Sequence, residues 1–205
     1  LNKIDFSFCK NIFYKNIMNN EFIKKIITNT STLTYFGVET KRKMASYKYS
    51  DFRDKLPQID WCDYQIIRKH FNVSYDYDVL FINVYENGQS IGKHKDKKKG
   101  LDVDANVYSV SIALDENMQI IQDNIDLGYI EIDNIKQRII NNEMLIFDAY
   151  NKEHKAYTKR SKLFKYRINF TFRKSLMRWR EQMIIGGCEG CRALCIECEN
   201  LLITE

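Results

Sequence analysis

From Val79 to Arg173 the chain reads as a run of short strand-like segments parted by turns, and the last segment, "YRINFTFR" (166–173), narrows the fold most. Successive side chains point to opposite faces of a strand. Tyr166, Ile168, Phe170 and Phe172 therefore share one face, while Arg167, Asn169, Thr171 and Arg173 share the other. A half-buried surface strand with its polar face in water alternates in the same way, so the pattern alone admits a solvated face as readily as a functional one. Further strand candidates are 79–85, 107–114, 117–122, 127–132 and 144–148, bounded by turns rich in Gly, Asn and Asp. Upstream the period changes. Ile12, Ile17, Phe22 and Ile26 recur at roughly helical spacing over 11–28, and a second helix is expected after Pro57 within 50–72. Helices followed by a series of short strands predict an α+β, mainly β chain, a sandwich or barrel behind a helical flank.

At 205 residues the chain has room for one generous domain, or one domain and a small appendage. No apolar run approaches the ~20 residues of a membrane span, so no membrane partner is expected. The net charge of +5 is modest, but "KRK" (41–43), "KHKDKKK" (93–99) and "KAYTKRSKLFK" (155–165) concentrate the positive charge. Such clusters suit a polyanion such as nucleic acid, although a solvated face is the default for any charge run. Cys9 and Cys62 stand apart, and four cysteines crowd into "CEGCRALCIEC" (188–198), which is not a secreted disulfide framework. An intracellular location, cytoplasm or nucleus, is the expectation. The start at Leu1 and the Asn/Ile/Lys-heavy, proline-poor text read as a segment of a longer polypeptide, and a viral polyprotein fits them.

Only three histidines are present: His70, His94 and His154. His70 falls in the helical region. His94 and Asp96, if extended, share a face with Cα atoms ~6.6 Å apart. His154 follows the strand candidate "MLIFDAY" (144–150), where a loop can return it to the same point. Two imidazoles and one carboxylate on one face of a metal are the ligand set of non-haem Fe(II) oxygenases, with positions left open for cosubstrate and oxygen. A His-x-Asp pair by itself is weak evidence; Arg167, Asn169 and Arg173 downstream of His154 strengthen it.

With "NVY" (83–85), "HKD" (94–96), His154 and "RINFTFR" (167–173), region 35–173 resembles the AlkB family of Fe(II)- and 2-oxoglutarate-dependent dioxygenases. "KRKMASY" (41–47) is similar to that family's substrate-lid motif. The resemblance implies a double-stranded β-helix (jelly-roll) core with N-terminal flanking helices. It divides the chain into a flank over 1–34, a dioxygenase domain over 35–178 and a Cys-rich tail over 179–205. It implies that His94, Asp96 and His154 ligate Fe(II). Arg167 would bind the distal carboxylate of 2-oxoglutarate with help from Tyr85, and Asn83, Asn169 and Arg173 would line the cosubstrate site. A dicarboxylate calls for arginine, whose planar fork binds bidentately where lysine offers a point charge. The implied activity is oxidative demethylation of N-alkylated bases in single-stranded DNA or RNA by a monomeric enzyme, with release of formaldehyde, succinate and carbon dioxide. Tyr35, Phe36, Arg42 and Tyr47 would contact base, backbone or lid, with core packing the alternative for the aromatic residues. Lys97, Lys98 and Lys99 would attract phosphates.

Three features depart from the family pattern: Lys41 replaces a proline, Lys97, Lys98 and Lys99 after Asp96 stand where acidic residues are frequent, and Glu143 replaces a small residue. Related oxygenases acting on protein side chains, and a silent nucleic-acid-binding module, are the competing readings. In the tail, Cys188, Cys191, Cys195 and Cys198 form two Cys-x-x-Cys pairs only three residues apart. Structural zinc sites usually separate such pairs by a dozen or more residues. A tight zinc tetrathiolate, free thiols and the start of a following region are the readings open there.

Overall fold

A computed structural model describes residues 18–32, 34–35, 38–39, 41–48, 56–98 and 100–176. Two helices and eleven strands follow one another among the described residues. In chain order they are α1 (Asn20–Thr28), β1 (Thr34–Tyr35), β2 (Val38–Glu39), β3 (Lys43–Tyr47), α2 (Trp61–His70), β4 (Val79–Glu86), β5 (Ser90–His94), β6 (Val107–Leu114), β7 (Asp126–Ile132), β8 (Ile135–Ile140), β9 (Met144–Phe147), β10 (His154–Thr158) and β11 (Tyr166–Arg173). All strand pairing between named strands is antiparallel. One sheet has the order β3-β4-β11-β6-β9, another β5-β10-β7-β8, and among the described residues β1 pairs with β2 alone. From β4 to β11 the chain crosses between the two larger sheets at every connection except the β7–β8 hairpin, which is the jelly-roll arrangement expected from the sequence.

β11 sits at the centre of the five-stranded sheet, paired with β4 along eight residues and with β6 along seven. Its apolar parity does not face water. Ile168, Phe170 and Phe172 are fully buried with Leu80, Ile82, Val110 and Ile112 beneath Ile23, Ile26, Tyr64 and Ile67 of the two helices. The helices therefore cover one face of this sheet, and the other faces the four-stranded sheet across the site. Each helix starts on a side-chain cap that takes an otherwise unpaired amide. Asn19 accepts from the Phe22 amide at 3.0 Å and Asp60 from the Asp63 amide at 2.7 Å. An ion pair at 2.6 Å between Lys25 and Asp63 ties the two helices together.

The expected helix over 11–28 is present from Asn20, residues 11–17 lying outside the described part of the chain. The expected strand at 117–122 is not formed. The Asp115 carboxylate accepts from the Asn117 and Gln119 amides, both at 2.8 Å, and Met118 has a φ of 62°, so the segment turns and leaves only a bridge between Leu114 and Ile120. Besides the two-residue β1 and β2, four strands were not anticipated: β3, β5, β8 and β10. Three of them carry little apolar alternation, and β5 and β8 are exposed edges. At Gly128, with φ +133°, an added Cβ would stand 2.0 Å from the Tyr157 carbonyl oxygen, which is why glycine occupies the bulge between β7 and β8. No helix among the described residues is long and apolar enough to cross a membrane.

Candidate active site

Strand register assembles the site. On β11 the polar parity is aligned with chosen residues on both neighbours: Arg167 faces Tyr85 and Ala113, Asn169 faces Asn83 and Ser111, and Thr171 faces Phe81 and Ser109. All of these side chains except Ala113 line one wall of a cavity of about 260 Å³. The opposite wall comes from the four-stranded sheet, with Ile91, Ile130, Ile139, Ala156 and the two histidines. A volume just below the roughly 300–1,000 Å³ of sites for drug-sized ligands suits a small organic acid.

His154 lies opposite His94 in the pairing of β10 with β5, and their rings are 4.3 Å apart. Asp96 lies two residues past the end of β5, its amide donating to the Ala149 carbonyl at 2.9 Å. Asp96 Oδ1 stands 3.7 Å from His94 Nε2 and 3.8 Å from His154 Nε2. One ligand atom from each of the three residues lies within 4.8 Å of the other two, and no other such group of His, Cys, Asp or Glu occurs among the described residues.

The hydrogen bonds behind these groups fix their roles. His94 Nδ1 is 2.7 Å from the Gly92 carbonyl and His154 Nδ1 is 3.3 Å from the Lys152 carbonyl. A proton on each Nδ1 donates to the carbonyl and leaves the Nε2 lone pair aimed at Asp96. Burial is the main cause that lowers the His154 pKa; His94 and Arg173 add to it and Asp96 opposes it, which favours the neutral, metal-ligating imidazole. Burial alone would raise the Asp96 pKa. The Arg173 charge and hydrogen bonds, helped by the two imidazoles, outweigh burial and hold the carboxyl below its ordinary range. Arg173 makes two bonds to Asp96 Oδ2, at 3.0 Å from Nε and 2.5 Å from a terminal nitrogen, and its guanidinium stacks 4.4 Å from the Phe81 ring.

At the other end of the wall Arg167 is only 1% exposed, with its guanidinium 4.3 Å from the Tyr85 ring centre. It makes no ion pair among the described residues, and its Nε is buried without a hydrogen-bond partner there. A permanently charged group this deep calls for an anion. Arg173 likewise keeps one terminal nitrogen buried and unpartnered. Between the two, Asn169 donates to the Ser109 hydroxyl at 2.8 Å and accepts from Thr171 at 2.8 Å.

A family model described as the 2OG-Fe(II) oxygenase superfamily matches residues 8–173. The chain belongs to that superfamily. No protein of curated function matches it in sequence. Among solved structures, a prolyl-4-hydroxylase of Pseudomonas putida is 10% identical, with 78% of this chain and 89% of that one covered and a TM-score of 0.42. A cupin protein from Bacteroides fragilis is 15% identical over 48% of this chain, with a TM-score of 0.30. A conserved protein of unknown function from Streptococcus pyogenes is 14% identical over 48% of this chain, with a TM-score of 0.32. The chain spans 65% of the length of each of the last two.

Superfamily membership implies Fe(II) and 2-oxoglutarate, and the residues present fit both. Two Nε2 lone pairs and one carboxylate oxygen converge as the facial ligand set for Fe(II). The buried Arg167, which has no anionic partner among the described residues, suits a carboxylate at the far end of the cavity. When bound, iron and 2-oxoglutarate supply the oxygen chemistry and its electrons. The chain's own share is to hold three ligand atoms in place, to neutralise a buried carboxylate, and to exclude water with Leu101, Ile130, Leu145 and Phe147.

Of the other residues read from the sequence, Asn83 and Asn169 line the cavity, and Asn83 accepts from Arg42 Nε at 3.0 Å. Arg42 and Lys97 also line it, whereas Lys98 donates to Asn151 at 2.9 Å outside the lining. Tyr47 is a correction to the expected substrate contacts. It alternates to the helix side of β3, is 7% exposed, and stacks on Tyr64 with ring centres 4.3 Å apart. Tyr35 belongs to β1; Phe36, Lys99 and the four tail cysteines lie outside the described residues. The reading of the sequence missed Lys95, Ser109, Ser111 and Thr171, which line the cavity. Two serines at one parity of the otherwise apolar "VYSVSIAL" (107–114) were the available signal for that wall.

Proposed function

We propose that the chain is an AlkB-like Fe(II)- and 2-oxoglutarate-dependent dioxygenase that demethylates N-alkylated bases in single-stranded DNA or RNA. The observation that carries the dioxygenase part is the pairing, within one cavity, of the His94–Asp96–His154 cluster with a fully buried Arg167 that has no anionic partner among the described residues. The nucleic-acid part is supported by the cations around the open end. Arg42, Lys95 and Lys97 line the cavity beside the metal ligands, where an anionic strand brings its phosphates close. A flipped or unpaired base presents its N-alkyl group to such a cavity at a cost of a few kcal/mol, least for a strand already single.

In this reading Arg167 anchors the distal carboxylate, Arg173 holds Asp96 in its ligating position, and the lysines hold the strand. The test is anaerobic loading with Fe(II) and 2-oxoglutarate, then exposure to oxygen with N-methylated single-stranded DNA and RNA. Formaldehyde released in step with succinate is the expected result. Succinate production coupled to methylated or unmodified peptides, with no formaldehyde from either oligonucleotide, overturns the substrate assignment and leaves the oxygenase assignment standing.

A further inference from the structure

The outer face of the four-stranded sheet has a composition that the cavity does not explain. The parity of β10 that turns His154 and Ala156 inward turns Lys155 and Tyr157 outward, and β7 and β8 continue that surface. Tyr157 pairs directly with Tyr129, which pairs with Arg138; Lys155 pairs with Glu131, which pairs with Lys136. The two tyrosine rings are 5.5 Å apart, tilted by 32°, and both are half-buried, so their faces reach solvent without entering the core. The Lys136 ammonium lies 5.0 Å from the centre of the Tyr129 ring.

Charge on this surface is unbalanced. Arg138 and Lys159 share the single carboxylate of Asp126, at 3.3 and 3.4 Å, and Lys155 pairs with Glu131 at 3.0 Å. Lys136 stands on the ring as a further cation, so four positive groups face two negative ones. At the rim, Lys93 and Glu153 cancel each other at 2.9 Å, and Asp133 belongs to the hairpin tip beyond β7.

A cross-strand aromatic pair contributes roughly 0.2–1 kcal/mol to a sheet, which is reason enough for two tyrosines to be neighbours. It gives no reason for surrounding them with excess cations. Adjacent exposed aromatic rings on a sheet, ringed by lysine and arginine, are the physical means by which proteins hold single strands: bases stack on the rings and phosphates meet the charges. Tyr157 is three residues along β10 from His154, about 10 Å of strand. The path between the cavity and this surface crosses β5, which contributes Lys93 and leads into Lys95.

We propose that the outer face of the four-stranded sheet, centred on Tyr129 and Tyr157, is a docking platform for the single-stranded nucleic acid flanking the base presented to the cavity. As a catalytic exosite it rests on the demethylase reading; as a binding surface it stands on its own. The direct probe is fluorescence anisotropy with unmethylated oligo(dT) and oligo(U) of about 16 nucleotides, the upper end of single-strand site sizes. The Tyr129→Thr/Tyr157→Thr protein, which places strand-favouring β-branched residues at both positions, is expected to bind about 25-fold or more weakly, each ring being worth at least about fivefold to a stacked base. Tyr129→Phe/Tyr157→Phe is expected to bind like the wild type, which separates stacking from any loss of fold. Lys136→Gln/Arg138→Gln is expected to flatten the dependence on salt. With methylated substrates, the threonine variant should raise KM for the long strand while leaving kcat, and KM for a methylated trinucleotide, unchanged.

The two oligonucleotides distinguish DNA from RNA as the platform's ligand. Wild-type affinity and KM in a threonine variant that melts normally overturn the platform while leaving demethylation intact. Ring-dependent binding without formaldehyde from any strand keeps the platform and overturns demethylation.

Discussion

Replacing Arg167 by methionine separates what this cation does to the fold from what it does for the cosubstrate. The guanidinium is 1% exposed and has no ion pair among the described residues. Burial lowers its pKa, with Tyr85 opposing, so the fold tolerates the charge at a cost. Methionine fills similar space without a charge. Exchanging buried ionic groups for apolar ones of similar volume is often neutral or stabilising by about 1–4 kcal/mol. Arg167→Met is therefore expected to unfold, without ligand, at or above the wild-type temperature. Affinity should move the other way. Hydrogen bonds to a charged group contribute about 1.5–3 kcal/mol, so the dissociation constant for 2-oxoglutarate should rise about 10- to 150-fold. Arg167→Lys keeps the charge but loses the fork, and should fall between the two. Calorimetric titration under argon with Mn(II) in place of Fe(II) reads the affinity. Thermal unfolding with and without 2-oxoglutarate reads the linkage, since a ligand of the native state alone raises the midpoint. An Arg167→Met protein that melts lower than the wild type without ligand, and binds 2-oxoglutarate unchanged, refutes this account.

His94→Ala, Asp96→Ala and His154→Ala should each abolish 2-oxoglutarate decarboxylation while the far-UV spectrum stays native, and near-wild-type turnover in any of them removes that residue from the ligand set. Arg173→Gln should weaken divalent-metal affinity about 10- to 100-fold, measured by Mn(II) titration, because Asp96 loses the partner that orients it. Lys97→Ala/Lys98→Ala should bind methylated oligonucleotides more weakly, and the slope of log affinity against log salt should become shallower by about 0.7 per lost phosphate contact. Asp126 titrates in the acid limb. Its partial burial raises the pKa, but the Gly128 amide and the cations Lys159 and Arg138 prevail and lower it. A carboxyl lowered in the native state contributes stability that is present above its unfolded pKa of about 3.9 and is lost as pH falls through the folded value. Urea unfolding of Asp126→Asn between neutral pH and acid should show a smaller loss on acidification than the wild type.

Strands buried on both sides were the easiest to read. β4, β6 and β11 carry apolar side chains at one parity and a few polar ones at the other, and that contrast marked Asn83, Tyr85, Arg167, Asn169 and Arg173 together. The alternation did not tell whether the polar parity faced water, because a solvated strand and a strand facing a polar cavity look alike in one dimension. Edge strands were harder. "SIGKH" and "IKQRII" keep most of their side chains in solvent, so little hydrophobic signal survives in them, although β5 delivers His94 to the candidate metal cluster. "KRKMASY" was read as similar to a lid motif on the spacing of Arg42 and Tyr47. Pairing with β4 makes Lys43–Tyr47 a strand instead, which turns Met44 to the cavity and Tyr47 to the helices. His154 was placed after a strand rather than at the start of one, since its meeting with His94 depends on a pairing across sixty residues of chain.

The hydrogen bonds behind the three ligands bear on which ion the protein carries in a cell. Gly92, Lys152 and Arg173 hold the imidazoles and the carboxylate in their converging positions through contacts internal to the protein. A site already shaped in this way offers its donors to any divalent ion of suitable size, with little refolding to reward the right one. Two nitrogens and an oxygen bind later first-row ions more tightly than iron, in the order iron, cobalt, nickel, copper. Discrimination is then expected to fall to supply: the loaded fraction should follow the free concentrations of competing metals, and nickel or copper added to the iron-loaded protein should inhibit it by displacement.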